Sequence, residues 1–272
     1  MDAEEIRSKI VAFVAKEEGN SLSDGQPCFD EPLVGFADAE DPIFHQYKTI
    51  IGDFHRTPQE ILPAAKTVIV WVLPIAAAAR LSNRRGKEFP SLEWAWTRLK
   101  GEDFNVLLRQ HVLGFLQEQG YLAAAPQLQE SWQLVKDSPV GLASTWSERH
   151  AAYAAGLGTF SLSDSLITPR GSAHRVGSVV TNLALEPTPR PYRHHQENCL
   201  HFRGVECNAC ARRCPVGAIT AAGHDKQKCR EHVFGAKTMA LYGLGSSSCG
   251  YCQTGVPCEA RVPKMPQPAE KF

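Results

Sequence analysis

The sequence predicts an α+β chain: a large mixed portion of helices and strands, then a small cysteine-rich module. Helix-period and strand-period segments alternate up to residue 186 without a regular βαβ repeat, which argues against a parallel doubly wound sheet. Eight of the nine cysteines lie between Cys199 and Cys258. The proline-rich stretch Glu186-Pro-Thr-Pro-Arg-Pro-Tyr-Arg-His-His195 separates the two portions.

The N-terminus reads as an amphipathic helix with Ile6, Ile10, Phe13 and Val14 on one face. Thr57-Pro58-Gln59-Glu60 combines an N-cap, a proline at the first helical position and a glutamate at the third, so a short helix starts there. Thr67 to Leu73 is an unbroken β-branched and apolar run, the pattern of a buried strand. Glu102 to Gln119 carries Phe104, Leu107, Leu108, Val112, Phe115 and Leu116 at helical spacing, with Gly120 in the C-cap region. Thr145-Trp-Ser-Glu148 predicts a second capping box, opening a helix through Ala155 that Gly156 closes. Two strands follow, Ser165–Pro169 and Val176–Thr181, around Gly171. The expected divisions are an N-terminal helix and variable region (1–50), a mixed domain (51–186), a proline-rich linker (187–198), the cysteine module (199–260) and a tail (261–272).

Basic and acidic residues balance, 29 against 29, so there is no overall electrostatic footprint for nucleic acid. The longest apolar stretch, Thr67 to Ala79, is too short for a membrane span and contains Pro74. The acidic, amphipathic N-terminus lacks the features of a secretory signal, so the expected location is cytoplasmic. In that reducing compartment a dense cysteine group binds metal more readily than it forms disulfides.

The cysteines run Cys199-x7-Cys207-x2-Cys210-x3-Cys214-Pro215, then Cys229, then Cys249-x2-Cys252-x5-Cys258. Bacterial two-cluster ferredoxins use C-x2-C-x2-C-x3-C-P, with the fourth cysteine serving the other cluster. Here only the first gap departs from that pattern. The spacing therefore predicts two [4Fe–4S] clusters in a crossed arrangement. Cys199, Cys207, Cys210 and Cys258 hold one; Cys214, Cys229, Cys249 and Cys252 hold the other. Two zinc ions on the same eight thiols are the competing reading. Cys28, far upstream, reads as a non-ligand, and His194, His195, His201 and Arg203 read as surface residues.

Around this module the chain resembles the cobalamin-dependent epoxyqueuosine reductases and their relatives, the reductive dehalogenases. The likeness covers residues 50–258 and rests on several segments. They are Trp146-Ser-Glu-Arg-His-Ala-Ala-Tyr-Ala-Ala-Gly-Leu-Gly158, Ser165-Leu-Ile167, Gly171-Ser172, Arg56–Pro63, Glu102–Arg109 and Cys249-Gly-Tyr-Cys252. It implies a cobalamin-binding-type first domain followed by a ferredoxin-like module that feeds electrons to the corrin. It also implies that Gly156, Leu157, Gly158, Leu166, Ile167, Thr168, Gly171 and Ser172 approach the corrin, where backbone without a Cβ packs closely. An external donor such as ferredoxin or flavodoxin would supply the electrons, and a small molecule or nucleoside would be reduced. The alternative is a non-catalytic electron-transfer partner, for instance an activator of a corrinoid protein. Aligned on Glu148-Arg149 and Ala155–Gly158, Leu142 stands where the reductases carry an acidic proton donor. The catalytic acid is therefore unassigned, with Tyr153 the tyrosine closest to the turn. The chain ends soon after the last cysteine, so tRNA is not the favoured substrate, and no membrane partner is expected.

Overall fold

The computed structural model describes residues 1–245 and 247–265. In order they form α1 (Ala3–Lys16), β1 (Leu33–Asp38), α2 (Ile43–Ile51), α3 (Pro58–Ile61), β2 (Thr67–Pro74), α4 (Ala77–Arg84) and α5 (Leu92–Glu118). Then come β3 (Ala123–Ala124), β4 (Leu134–Ser138), β5 (Gly141–Ser144), α6 (Glu148–Ala154), β6 (Thr159–Phe160), β7 (Leu166–Ile167) and β8 (His174–Thr181). The cysteine-rich portion adds α7 (Ala209–Arg213), β9 (Ile219–Thr220), β10 (Gly223–His224), α8 (Lys226–Val233) and α9 (Ala236–Ala240). The predicted tail falls partly outside the described residues, at 266–272.

The central sheet has strand order β1-β2-β8-β3, and every pairing is antiparallel. This matches the expected α+β class. β2 is buried along its whole length, and its side chains alternate between two cores. Ile69, Trp71 and Leu73 pack with Phe104, Leu108 and Val112 of α5 and with Ile6, Ile10 and Val14 of α1. Val68, Val70 and Val72 pack with Phe44, Tyr47 and Ile51 of α2 and with the alanines of α6. A strand covered on both faces has no polar side to show, hence its unbroken apolar run. Each fully buried Val, Leu or Ile contributes about 1.5–3 kcal/mol.

The capping box at Thr57 forms: Thr57 N–H donates to Glu60 and the Thr57 hydroxyl accepts from Glu60 N–H. Three expectations need correction. α5 begins at Leu92, capped by the Ser91 hydroxyl, rather than at Glu102. It runs straight through Gly101, where a Cβ would lie 2.5 Å from the Phe29 ring, so this glycine makes room for an aromatic side chain. The Thr145 box does not form; Ser147 is the N-cap and makes no side-chain cap bond. Glu148 is instead drawn inward, accepting from Arg109 at 3.3 Å and from the Ser178 hydroxyl. The strand expected at Ser165–Pro169 is confined to Leu166–Ile167. The proline-rich connector is docked: Thr188 N–H donates to Phe36 O, and Phe36 N–H donates to the Thr188 hydroxyl, both at 2.9 Å. No helix among the described residues is long and apolar enough to cross a membrane.

A buried histidine gives the fold an acid limit. The His55 ring stacks on Trp146, and its Nε2 accepts from Ser147 N–H at 3.2 Å, which requires a neutral ring. Burial, followed by the charge of Lys48, lowers its pKa to about 4, against 6.5 for the unfolded chain. Between those values the unfolded chain binds the proton and the native one does not. Stability is therefore expected to fall as pH drops from 6.5 through 4, by a few kcal/mol in order of magnitude. His174 shifts in the same direction, also to about 4. Urea titrations across this window should show the decline, and it should be shallower in His55→Gln, whose amide still accepts from Ser147. An equal slope in parent and variant would exclude His55 as a source of the decline.

Candidate cluster sites and the adjoining cavity

Local structure delivers the thiols one by one. Asn198 donates from its backbone N–H to the Thr159 hydroxyl at 2.8 Å and from its side chain to Ile167 O at 2.9 Å, fixing Cys199 beside β6 and β7. α7 separates Cys210 from Cys214, whose sulfur accepts from Ala218 N–H at 3.1 Å. Cys229 rides on α8, which the Asp225 carboxylate caps through Lys228 N–H. Asn83 at the end of α4 donates to Cys249 O and to the Thr254 hydroxyl, each at 3.1 Å, tying the Cys249–Cys252 turn to the large portion. Cys258 O accepts from Ser172 N–H at 2.8 Å, and the Ser172 hydroxyl reaches its sulfur at 3.7 Å.

The eight thiols separate into two cavities. Cys199, Cys207, Cys210 and Cys258 line a small one of about 20 Å³. Cys214, Cys229, Cys249 and Cys252 line one of about 390 Å³. Cys28 is elsewhere, buried in the core with Phe29 and Phe104. Burial raises the thiol pKa of Cys210 and Cys249 to about 11 and of Cys258 to about 12, and raises that of Cys252 well above its usual value, with neighbouring cysteines adding to it. Thiolates in sets of four are the donor type of iron–sulfur clusters, while among the described residues no group of three or more His, Cys, Asp or Glu closes around a single metal ion.

A third cavity, of about 570 Å³, lies over α6 and is lined by Tyr47, His150, Tyr153 and Phe160 together with Ile43 and Ile50. It shares Arg149, His224 and Lys226 with the 390 Å³ cavity. At this junction the Asp164 carboxylate lies 3.4 Å from His224 Nδ1 and 3.9 Å from Lys226 Nζ. Burial alone would raise the Asp164 pKa; the hydrogen bond from His224 and the charges of Arg149 and Lys226 bring it below the ordinary value. Asp164 holds φ +58, rare for a residue with a side chain. Leu142 lines the cavity of the Cys214 set. Arg149 lies in the segment that carries the resemblance, but Arg98, which lines the cavity of the Cys214 set, Asp164, His224 and Lys226 carried no signal in the sequence, since isolated charges at irregular spacing look like surface residues.

The residues expected at a corrin are differently employed. Gly156 has φ +71, and a Cβ there would strike Pro189 O; at Gly158 it would lie 2.6 Å from Ile167 O. Gly171 has φ +85, and its Cβ would strike Glu259 O. The close approach these glycines allow is to the chain's own backbone. Leu157, Leu166, Ile167, Thr168 and Ser172 are buried in the same packing. None of the eight lines the 390 or 570 Å³ cavity. Ile167 lines the small thiol cavity, and Gly171 and Ser172 position Cys258. The close contacts of this segment are thus with the chain's own backbone, and the two larger cavities adjoin one another across Arg149, His224 and Lys226.

No protein-family model matches the chain, and no curated protein does. Solved structures do. An epoxyqueuosine reductase from Streptococcus thermophilus superposes with a TM-score of 0.56 at 15% identity, covering 98% of this chain and 69% of the other. An epoxyqueuosine reductase solved with an epoxyqueuosine-modified tRNA stem loop gives 0.52 at 17%, covering 94% and 66%. A reductive dehalogenase described in terms of B12-dependent dehalogenation gives 0.53 at 18%, covering 85% of this chain and 30% of the other. The chain thus has the fold shared by epoxyqueuosine reductases and B12-dependent reductive dehalogenases. At these identities the likeness is one of fold.

Proposed function

We propose that this chain is an iron–sulfur oxidoreductase with two [4Fe–4S] clusters. Cys199, Cys207, Cys210 and Cys258 bind one, and Cys214, Cys229, Cys249 and Cys252 bind the other. They relay electrons from an external one-electron donor, of the ferredoxin or flavodoxin kind, to the 570 Å³ cavity beside the Cys214 set. The observation that carries this reading is that cysteines far apart in sequence line the same cavity while near neighbours line different ones. A reductase-type fold around them agrees with it.

The group that meets the substrate is, on this reading, a cobalamin in the 570 Å³ cavity. When bound, it supplies a strongly reducing cobalt centre. The chain's own part is to offer the apolar and aromatic wall of Tyr47, Tyr153 and Phe160, and to place Arg149, Lys226 and His224 between that wall and the Cys214 set. The substrate is a small molecule or a nucleoside. A second reading, a non-catalytic electron carrier, is favoured by Leu142, which brings an apolar side chain to the cavity where the related reductases are expected to have an acid.

Anaerobic purification with iron, sulfide and cobalt measured on one sample tests the assignment. Two cubes per chain with stoichiometric cobalt after incubation with cobalamin is the expected result. Two cubes without cobalt would favour the carrier, and zinc in place of iron would end both readings.

A further inference from the structure

The two thiol sets sit in opposite electrostatic surroundings. The Cys214-set cavity is also lined by Arg98, Arg149, Lys226 and Arg230, and no Asp or Glu among the described residues lines it. The Cys199-set cavity is lined by Leu162, Ile167, Leu200 and Val256 with Ser161 and Ser163, and no charged side chain among the described residues lines it.

Nearby acids do not cancel the positive lining. Glu102 acts on Arg98, but it already accepts from Arg109 at 3.0 Å and from Arg175. Glu148 is held by Arg109 and Ser178. The Asp164 carboxylate faces His224 and Lys226, while Arg149 donates to the Asp164 backbone oxygen. Lys226 and Arg149 are therefore partly offset, and Arg98 and Arg230 remain.

Reducing a cube adds one negative charge. In a medium of low polarity, nearby cations stabilise that charge strongly, and an apolar wall without cations disfavours it. Cluster potentials respond to local charge, hydrogen bonding and solvent exposure.

We propose that the two clusters differ in potential, that the one on the Cys214 set is the higher, and that Arg98 and Arg230 set the difference. An electron supplied by the external donor to the Cys199 set then passes to the Cys214 set. The first cube is oxidised by one electron and the second is reduced by one, with no bond made or broken. The electron comes to rest beside the cavity that adjoins the 570 Å³ chamber. The arginines act as positioning residues for charge and do not meet the substrate. The inference rests on the two-cluster reading but can fail independently of it.

The test is a dithionite redox titration of the anaerobically reconstituted full chain, followed by EPR. Two separate reduction steps are expected. Arg98→Gln and Arg230→Gln should each move the higher step to lower potential and leave the lower step in place. Arg98→Lys, which keeps the charge, should restore it. Arg203→Gln, in the exposed turn after Cys199, should move neither. Cys258→Ala protein should retain the higher step. Coincident steps, a shift of the lower step in Arg98→Gln, no rescue by Arg98→Lys, or retention of only the lower step in Cys258→Ala would overturn the proposal while leaving the clusters intact. Iron and sulfide short of two cubes per chain in the parent would overturn both readings.

Discussion

On the two-cluster reading, Cys258→Ala protein, reconstituted without oxygen, is expected to hold one cluster against two in the parent, losing that of Cys199, Cys207 and Cys210. Sequence proximity alone would group Cys258 with Cys249 and Cys252. The packing groups it otherwise. Ser172 N–H holds the Cys258 carbonyl at 2.8 Å, and Cys258 lines one cavity with Cys199, Cys207 and Cys210. Cys214 belongs with the thiols of α8 and the Cys249–Cys252 turn, although Cys210 is one helical turn away. Double variants separate the two groupings, because residues serving one site are not additive. Cys207→Ala with Cys258→Ala should lose no more iron than either alone. Cys214→Ala with Cys258→Ala should lose nearly all of it. Iron and sulfide per chain, with EPR of the reduced protein, read the result. The reverse pattern, with the Cys252→Ala and Cys258→Ala pair behaving as one site, would sink the crossed arrangement.

The elements legible in the sequence are those whose cause is local. The Ile6, Ile10, Val14 stripe, the Thr57 box and the apolar run of β2 each follow from residues within a few positions of one another. The thiol spacing was legible for the same reason. What could not be read depends on partners distant in sequence. Glu148 looks like the third residue of a capping box until Arg109 and Ser178 arrive beside it. Gly101 looks like a helix boundary until Phe29 is seen to pack on it. The resemblance implied that Gly171 and Ser172 approach a corrin, and the segment packed on them here is Cys258–Glu259.

Glu259 is where the cysteine portion is fastened to the rest, and Glu259→Ala is expected to destabilise the protein by about 3–5 kcal/mol. The carboxylate is 2% exposed. It accepts from Arg80 Nη1 at 2.9 Å, from Arg84 Nε and Nη2 at 2.8 Å each, and from Gly255 N–H at 2.6 Å. Both arginines lie in α4 or directly at its end, so the residue after Cys258 is anchored to a helix of the large portion. Removing the carboxylate leaves Arg80, whose side chain is 13% exposed, without its buried counter-charge. Arg84 is 44% exposed and regains water, which favours the lower end of the range. Burial by itself would raise the Glu259 pKa, but Arg84, the Gly255 N–H and Arg80 together bring it below the ordinary 4.5. The stabilisation is therefore full above 4.5 and is lost as pH falls through the depressed native value, so parent and variant should converge in acid. Urea unfolding at neutral and acid pH measures both the loss and the convergence. Glu259→Gln, which keeps acceptor oxygen without charge, should lose less. Because Glu259 directly follows Cys258, the alanine variant should also release iron from the Cys199 set before the Cys214 set during mild chelation. Unfolding within about 0.5 kcal/mol of the parent, the range of an ordinary surface change, would mean that this ion pair fastens nothing.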